Sequence, residues 1–421
     1  MDQGNTAFLL LAAALVLLMT PGLAFFYGGL VKAKSVISMM MMSFGAIGLI
    51  AVLWVVYGYA VAFPGAEGTL FPWAIDTGAL FLGNVLEVPE GALYPPLAFV
   101  AFQATFAIIT VALVSGAIAD RAKFGAWMVF AGIWATVVYF PVASWVFNFG
   151  LADGAFSYGG WLTHGLQTVF GVGVIDFAGG TAVHINAGAA ALALALVLGK
   201  RVGFAKGAHV PHNPPFVLLG AGLLWFGWFG FNAGSELAAD GTAALAFVNT
   251  IAAPAAALLA WLVVEKIRDG KPTSVGAASG AVAGLVAITP ACGSLTPGFA
   301  ILLGIVAGVI CALAIDLKYK LGFDDSLDVV GIHLVGGLVG TLYLGFFATG
   351  TGLINSGSLT QLLVQAIAAL AVLIYSFVLA FVIGFIIEKT MGFRIKNEDE
   401  IAGVDLVVHG EEGYVLADAK S

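Results

Sequence analysis

Asp176-Phe177-Ala178-Gly179-Gly180-Thr181-Ala182-Val183-His184 opens an apolar, glycine-rich segment with an acid and reaches a histidine eight residues later. At about 1.5 Å per residue, a helix here puts the imidazole roughly 12 Å along the axis from the carboxylate. The spacing recurs at Asp325 and His333, followed by the Gly-rich run Val335-Gly336-Gly337-Leu338-Val339-Gly340. The flanking sequence is too apolar for a soluble protein. Both histidines therefore fall inside a membrane domain, where an ionisable group is a functional suspect by default.

The whole chain has this character. Of its 421 residues 61% are hydrophobic and only 10% charged, against about 25% charged in an average soluble domain. The expected fold is an all-α polytopic membrane protein with eleven spans, over 6–31, 36–63, 94–118, 124–147, 175–198, 215–234, 243–266, 274–290, 299–317, 328–348 and 360–388. They make up a membrane domain over 1–390, followed by a charged tail over 391–421. The N-terminus lacks the basic region of a signal peptide, so the first apolar run is expected to remain as a span. Cys292 and Cys311 form no CxxC and carry no metal-ligand spacing, and no cofactor is expected.

The basic residues test this segmentation. Lys32 and Lys34, Arg121 and Lys123, Lys200, Arg201 and Lys206, Lys266, Arg268 and Lys271, and Lys318 and Lys320 fall in alternate connections. Lys389, Arg394, Lys396 and Lys420 follow the last span, which completes all 16 Lys and Arg of the chain. The opposite loops hold only acids, among them Glu67, Asp76, Glu87, Glu90, Asp153, Glu236 and Asp240. The positive-inside rule then places the N-terminus outside and the C-terminus in the cytoplasm of a plasma or inner-membrane protein. Five spans separate the two Asp/His segments, so they run in opposite directions. This pattern marks an inverted repeat, spans 1–5 against 6–10, with a C-terminal helix added. Such repeats place a transport site at their interface near the midplane. Pro21-Gly22 and Gly28-Gly29 in span 1, with Gly227, Gly230 and Gly234 in span 6, allow close helix approach.

This orientation gathers Phe102, Phe106, Trp145, Phe147, Phe231, Ser235 and Asp176 near the outer mouth. A small cation could rest there on ring faces, donate to Ser235 and feel the carboxylate, with cation–π contacts of about 0.5–2 kcal/mol. The same residues also allow an interfacial aromatic belt, with Asp176 as a helix cap or a buried structural acid. Below the mouth the expected pore lining is apolar except for His184 and His333. That argues against a hydrated ion channel. Two neutral imidazoles can each donate and accept, guiding a small polar molecule or relaying a proton.

Asp176-Phe-Ala-Gly-Gly-Thr-Ala-Val-His184-Ile-Asn-Ala-Gly188 resembles the signature of the ammonium transporter (Amt/Mep/Rh) family, on its prokaryotic Amt side. The resemblance extends to Thr20-Pro-Gly-Leu-Ala-Phe-Phe-Tyr-Gly-Gly-Leu30, to Gln103 and Phe106 with Gly116-Ala-Ile-Ala-Asp-Arg121, to Trp228-Phe-Gly-Phe-Asn-Ala-Gly-Ser235, and to Asp324, Asp325, Asp328 and His333. It covers essentially the whole chain. It implies a homotrimer with one pore per protomer and ammonium, with methylammonium, as substrate. Phe106, Ser235 and an aromatic at the end of span 4 would form the outer recruitment site. Phe102 and Phe231 would gate the pore, His184 and His333 would line it, and Asp176 would support recruitment or deprotonation. One departure concerns span 4. The family carries Trp two residues after the Trp145 position, and here that residue is Phe147. Phe has a weaker quadrupole and no N–H. The resemblance thus implies a looser hold on the cation, or a contribution from Trp145 instead. The tail, through Asp405-Leu-Val-Val-His409-Gly-Glu-Glu-Gly-Tyr414, resembles the family's regulatory C-terminal region and implies a PII-type signalling partner.

Two other classes compete. An ammonium sensor would signal through the tail, yet only about 30 residues follow the last span. An intramembrane enzyme is disfavoured by the lack of GxSxG and HExxH. No basic patch supports nucleic-acid binding.

Overall fold

The computed structural model describes residues 1–65, 74–152, 155–204 and 210–414. Glu67, Asp153, Lys206 and Lys420 of the charge pattern lie outside them. Among the described residues, ten helices are long and apolar enough to cross a membrane. They are α1 (Gln3–Leu30), α2 (Ala33–Ala62), α3 (Pro96–Ile118), α4 (Phe124–Phe147), α5 (Gly180–Leu198), α6 (Pro214–Glu236), α7 (Gly241–Arg268), α9 (Pro297–Leu321), α10 (Val330–Phe347) and α11 (Thr360–Thr390). The span expected over 274–290 is the shorter apolar helix α8 (Ser274–Ile288). It is continued by a turn in which Thr289, Ala291, Cys292 and Leu295 are all fully buried. A short helix suffices there because its end is covered by protein rather than by lipid. Helix–helix packing, with small residues at the crossings, holds the bundle together. A two-stranded hairpin, Phe149–Ala152 with Ala155–Gly159, follows α4.

The contacts repeat between the halves. α1 packs on α3 as α6 packs on α8, α2 on α4 as α7 on α9, and α3 on α5 as α8 on α10. α1 and α6 cross at the centre, where a Cβ on Gly220 would lie 2.2 Å from the Phe26 backbone nitrogen. α5 meets the start of α10 in the same way, since a Cβ on Gly188 would lie 2.5 Å from the Leu334 nitrogen. These are the small-residue contacts that close packing in lipid requires. α11 closes the bundle against α5, α10 and α4.

Two faces are defined by the hydrogen bonds at the helix ends. On the N-terminal face, Asp2 N–H donates to the Leu93 carbonyl at 2.9 Å and Ala239 N–H to Asn5 Oδ1 at 2.9 Å. On the other, Asn213 N–H donates to the Gly29 carbonyl at 3.1 Å, and the tail covers this face. A buried ion cluster joins three connections here. Arg201 pairs with Asp120 at 3.1 Å and Asp324 at 2.9 Å, and Arg121 donates to the Asp324 carbonyl at 2.6 Å. Burial pushes the Asp324 carboxyl up, but Arg201 and Arg121 outweigh it and hold it below the usual carboxylate range.

The tail is fastened rather than free. Residues 393–395 bridge to 121–123, with Lys123 N–H donating to the Phe393 carbonyl at 2.9 Å and Ile395 N–H to that of Arg121 at 2.9 Å. Lys34 Nζ donates to the Ile401 carbonyl. The Asp405 carboxylate accepts from Ile37 N–H at 3.0 Å and Ser38 N–H at 2.7 Å, so the tail caps the first α-turn of α2. Tyr414 Oη sits 2.8 Å from His212 Nε2. Asp405→Ala is expected to cost about 1 kcal/mol, the worth of a helix cap. Amide hydrogen exchange over 397–414 should then rise about fivefold. Unchanged protection would mean that the other tail contacts suffice.

Candidate functional site

The site starts at the ends of α3, α4 and α6 on the N-terminal face. A cavity of about 750 Å³ opens there, lined among others by Gln103, Phe106, Phe147, Asp176, Ser235 and Glu236. The Phe147 ring lies edge-on to Phe106, with centroids 6.5 Å apart. Ser235 Oγ donates its proton to the Phe231 carbonyl at 2.8 Å, which leaves its lone pairs as acceptors. Trp145 does not join this wall. It is buried and packs on Trp161 at 5.6 Å and Tyr375 at 4.7 Å. Trp145 and Phe147 are two positions apart, roughly half a helical turn, so only one of them can face the cavity.

Below the vestibule, Phe106 and Phe231 stack at 4.1 Å with an interplanar angle of 15°. Rings this close leave no gap for water. The pair that closes the floor is therefore Phe106 with Phe231. Phe102, grouped with Phe231 in the sequence reading, lies behind Phe106 with ring centroids 4.8 Å apart, is fully buried, and lines neither this cavity nor the next.

Past the ring pair lies a cavity of only about 10 Å³, lined among others by Phe26, Leu113, Trp228, Phe231, His184 and His333. That is about one water-sized space. His184 and His333 meet through their Nδ1 atoms at 3.2 Å, with rings 5.3 Å apart and nearly parallel. Only one of the two Nδ1 atoms can carry the proton of this bond. One imidazole is thus the Nδ1–H donor, and the other accepts and keeps its proton on Nε2. His184 Nε2 is buried and has no partner among the described residues. The Trp228 indole stacks over His184 at 5.5 Å and is itself fixed by a 2.8 Å bond from Nε1 to Thr289 Oγ1.

Both histidines sit in wide π turns at the start of their helices, Gly180–Ile185 and Val330–Leu334. Such turns are rare and concentrate at functional sites. Each is preceded by one of the paired acids. Asp176 Oδ1 accepts from Gly179 N–H at 3.0 Å and from Gly180 N–H, while Oδ2 accepts from Thr181 N–H, Thr181 Oγ1 and Ala182 N–H at 2.9, 2.6 and 3.0 Å. Asp325 Oδ2 accepts from Val330 N–H at 2.7 Å. Asp176 therefore borders the vestibule, but its carboxylate is turned into the helix start.

A family model for the Ammonium Transporter Family matches residues 7–414. The chain belongs to the ammonium transporter family. Among its relatives is the ammonium transporter of Mycobacterium tuberculosis H37Rv, 52% identical over 443 residues covering 99% of this chain and 91% of that one. The crystal structure of Candida albicans Mep2 superposes with a TM-score of 0.85 at 33% identity, covering 99% of this chain and 94% of that one. A protein described as a sensor Amt protein gives 0.86 at 28% identity, covering 96% and 98%. The fold is thus that of a multi-pass ammonium-transporter-family membrane protein.

Sequence reasoning gave no lining role to Trp228, Gln103 or Glu236. Trp228 precedes Phe231 by three positions and so shares its helix face, a signal that was available. Gln103 is a lone amide in an apolar span, which also invites attention. Glu236 was read only as a loop acid, because nothing local separates a vestibule carboxylate from a solvated one.

Proposed function

We propose that the chain transports ammonium. The observation that carries this reading is the histidine pair set behind a stacked Phe pair at the floor of an aromatic vestibule. Ammonium would rest against Phe106 and Phe147 and donate to Ser235. Taking an ion into the 10 Å³ space beyond costs several kcal/mol unless its hydration is replaced. A substrate that gives up its proton to solvent on the vestibule side of the Phe106–Phe231 pair avoids most of that cost, and ammonia then passes His184 and His333. The hydrogen-bonded imidazoles either guide ammonia or hand on a proton. Asp176 holds the α5 start rigid and adds negative potential near the vestibule.

In this reading the N-terminal face is the outer face of the plasma or inner membrane and the tail lies in the cytoplasm. The basic connections support that orientation. The protein works as a homotrimer and also carries methylammonium. Residues 391–421 form a regulatory tail open to a PII-type protein. The likeness to a sensor Amt protein favours one second reading, an ammonium sensor that signals through that tail.

The test is current from purified protein in liposomes on a solid-supported membrane. An ammonium pulse should give a transient current and a potassium pulse none. Internal alkalinisation without current would mean that ammonia crosses alone. Silence in both assays would favour the sensor.

A further inference from the structure

Among the described residues two carboxylates border the vestibule, and one of them is fully taken up by backbone donors. Asp176 is consumed by four backbone N–H groups and a hydroxyl. Glu236 follows Ser235 directly, is half-buried, and lines the same cavity. It caps no helix and joins no ion pair among the described residues. The charged group beside it is Asp240, with which its side chain shares a hydrogen bond, so the two carboxyls hold one negative charge between them when one proton is shared; Asp240 Oδ1 also accepts from Thr242 and Ala243 N–H at the start of α7. No Lys, Arg or His lines the cavity among the described residues. Two further observations mark this corner. Gln103, in the same wall, is 7% exposed, and its side-chain oxygen has no hydrogen-bond partner among the described residues. Leu237, next after Glu236, holds a left-handed φ of 61°, a conformation that L-residues rarely adopt and that tends to persist where function holds it.

We propose that Glu236 is the anionic residue of the recruitment site. Its charge concentrates small monovalent cations in the vestibule, while the Phe106 and Phe147 faces and Ser235 select among them. It adds a carboxylate that is not spent on backbone donors, as that of Asp176 is, and strengthens an attraction that Phe147, lacking an N–H and with a modest quadrupole, provides weakly. The inference rests on the transporter reading. A carboxylate across a partly hydrated space acts through its field rather than through a fitted contact, so its effect falls on capture and is screened by salt.

The experiment measures ammonium currents from wild type, Glu236→Gln and Glu236→Asp over ammonium concentration, at low and high concentrations of an inert salt. Glu236→Gln should raise KM about three- to tenfold, the size of one screened charge at several ångströms, with maximal current within about twofold of wild type. Glu236→Asp should recover most of the affinity. Salt should raise the wild-type KM and leave that of Glu236→Gln nearly flat. Potassium, which feels the same charge, should compete more strongly with wild type than with Glu236→Gln. A wild-type current with a salt-independent KM, or an unshifted KM in Glu236→Gln, overturns the inference and leaves the transporter reading standing. A wild-type protein without ammonium current or alkalinisation overturns both.

Discussion

Replacing both His184 and His333 with alanine is expected to lower the ammonium-dependent current by about 100-fold or more, the scale at which a positioned proton acceptor contributes. The Nδ1–Nδ1 bond at 3.2 Å makes the two rings one unit. Its single shared proton means that a second proton arriving at one ring must displace the first toward the other. Buried among apolar residues, the pair is the polar group that this stretch of pore offers to ammonia. Alanine at both sites removes it and enlarges an apolar cavity. Each single substitution leaves one ring in place but breaks the bond, so the single losses should not add to the double one. Solid-supported-membrane currents with ammonium and potassium pulses test this. An undiminished and equally selective current in the double variant would overturn the relay.

Asp176→Ala should act mainly on folding. The carboxylate satisfies four N–H groups at the start of α5, away from bulk water. An unsatisfied buried donor costs about 1–3 kcal/mol, so leaving four donors unpaired amounts to about 4 kcal/mol or more. The π turn that carries His184 begins at Gly180 and would be the first part to rearrange. Asp176→Asn keeps one acceptor oxygen but points an NH₂ group at the remaining donors, so it should fall between alanine and wild type. Melting in detergent checks the order. If Asp176→Ala melts with wild type yet carries no current, the carboxylate acts on the substrate directly rather than through the helix start.

How much of this was legible in the sequence differs from residue to residue. The paired Asp/His spacing located both histidines and announced that they belong together, because eight residues of chain is a local distance, although the structure starts each helix only after its acid, at Gly180 and just before Val330. Nothing local said that they bond through Nδ1 across 149 positions of chain. The two readings of Asp176, ligand or cap, were both open until the backbone donors were in place. Phe102 and Phe106 sit one turn apart on α3 with the same residue type, so periodicity could not tell which one meets Phe231. Trp145 and Phe147 posed the same problem on α4, and the rotation of that helix against Trp161 and Tyr375 resolved it. The tail read as a charged segment, and its fastening to α2 through Asp405 was invisible because the partners are backbone N–H groups that every residue possesses.

The sequence by itself determined the spans, the alternation of basic and acidic connections, and the repeat that sets two Asp/His segments against each other. Hydropathy, charge and short spacing are properties of neighbouring residues, and the bilayer turns them directly into topology. Only the tertiary structure decided which aromatics touch, which carboxylate is spent on the backbone and which still faces the vestibule. Those outcomes depend on the rotation and depth of helices far apart in the chain, and in lipid these are set by close packing at glycine crossings such as Gly220 against Phe26.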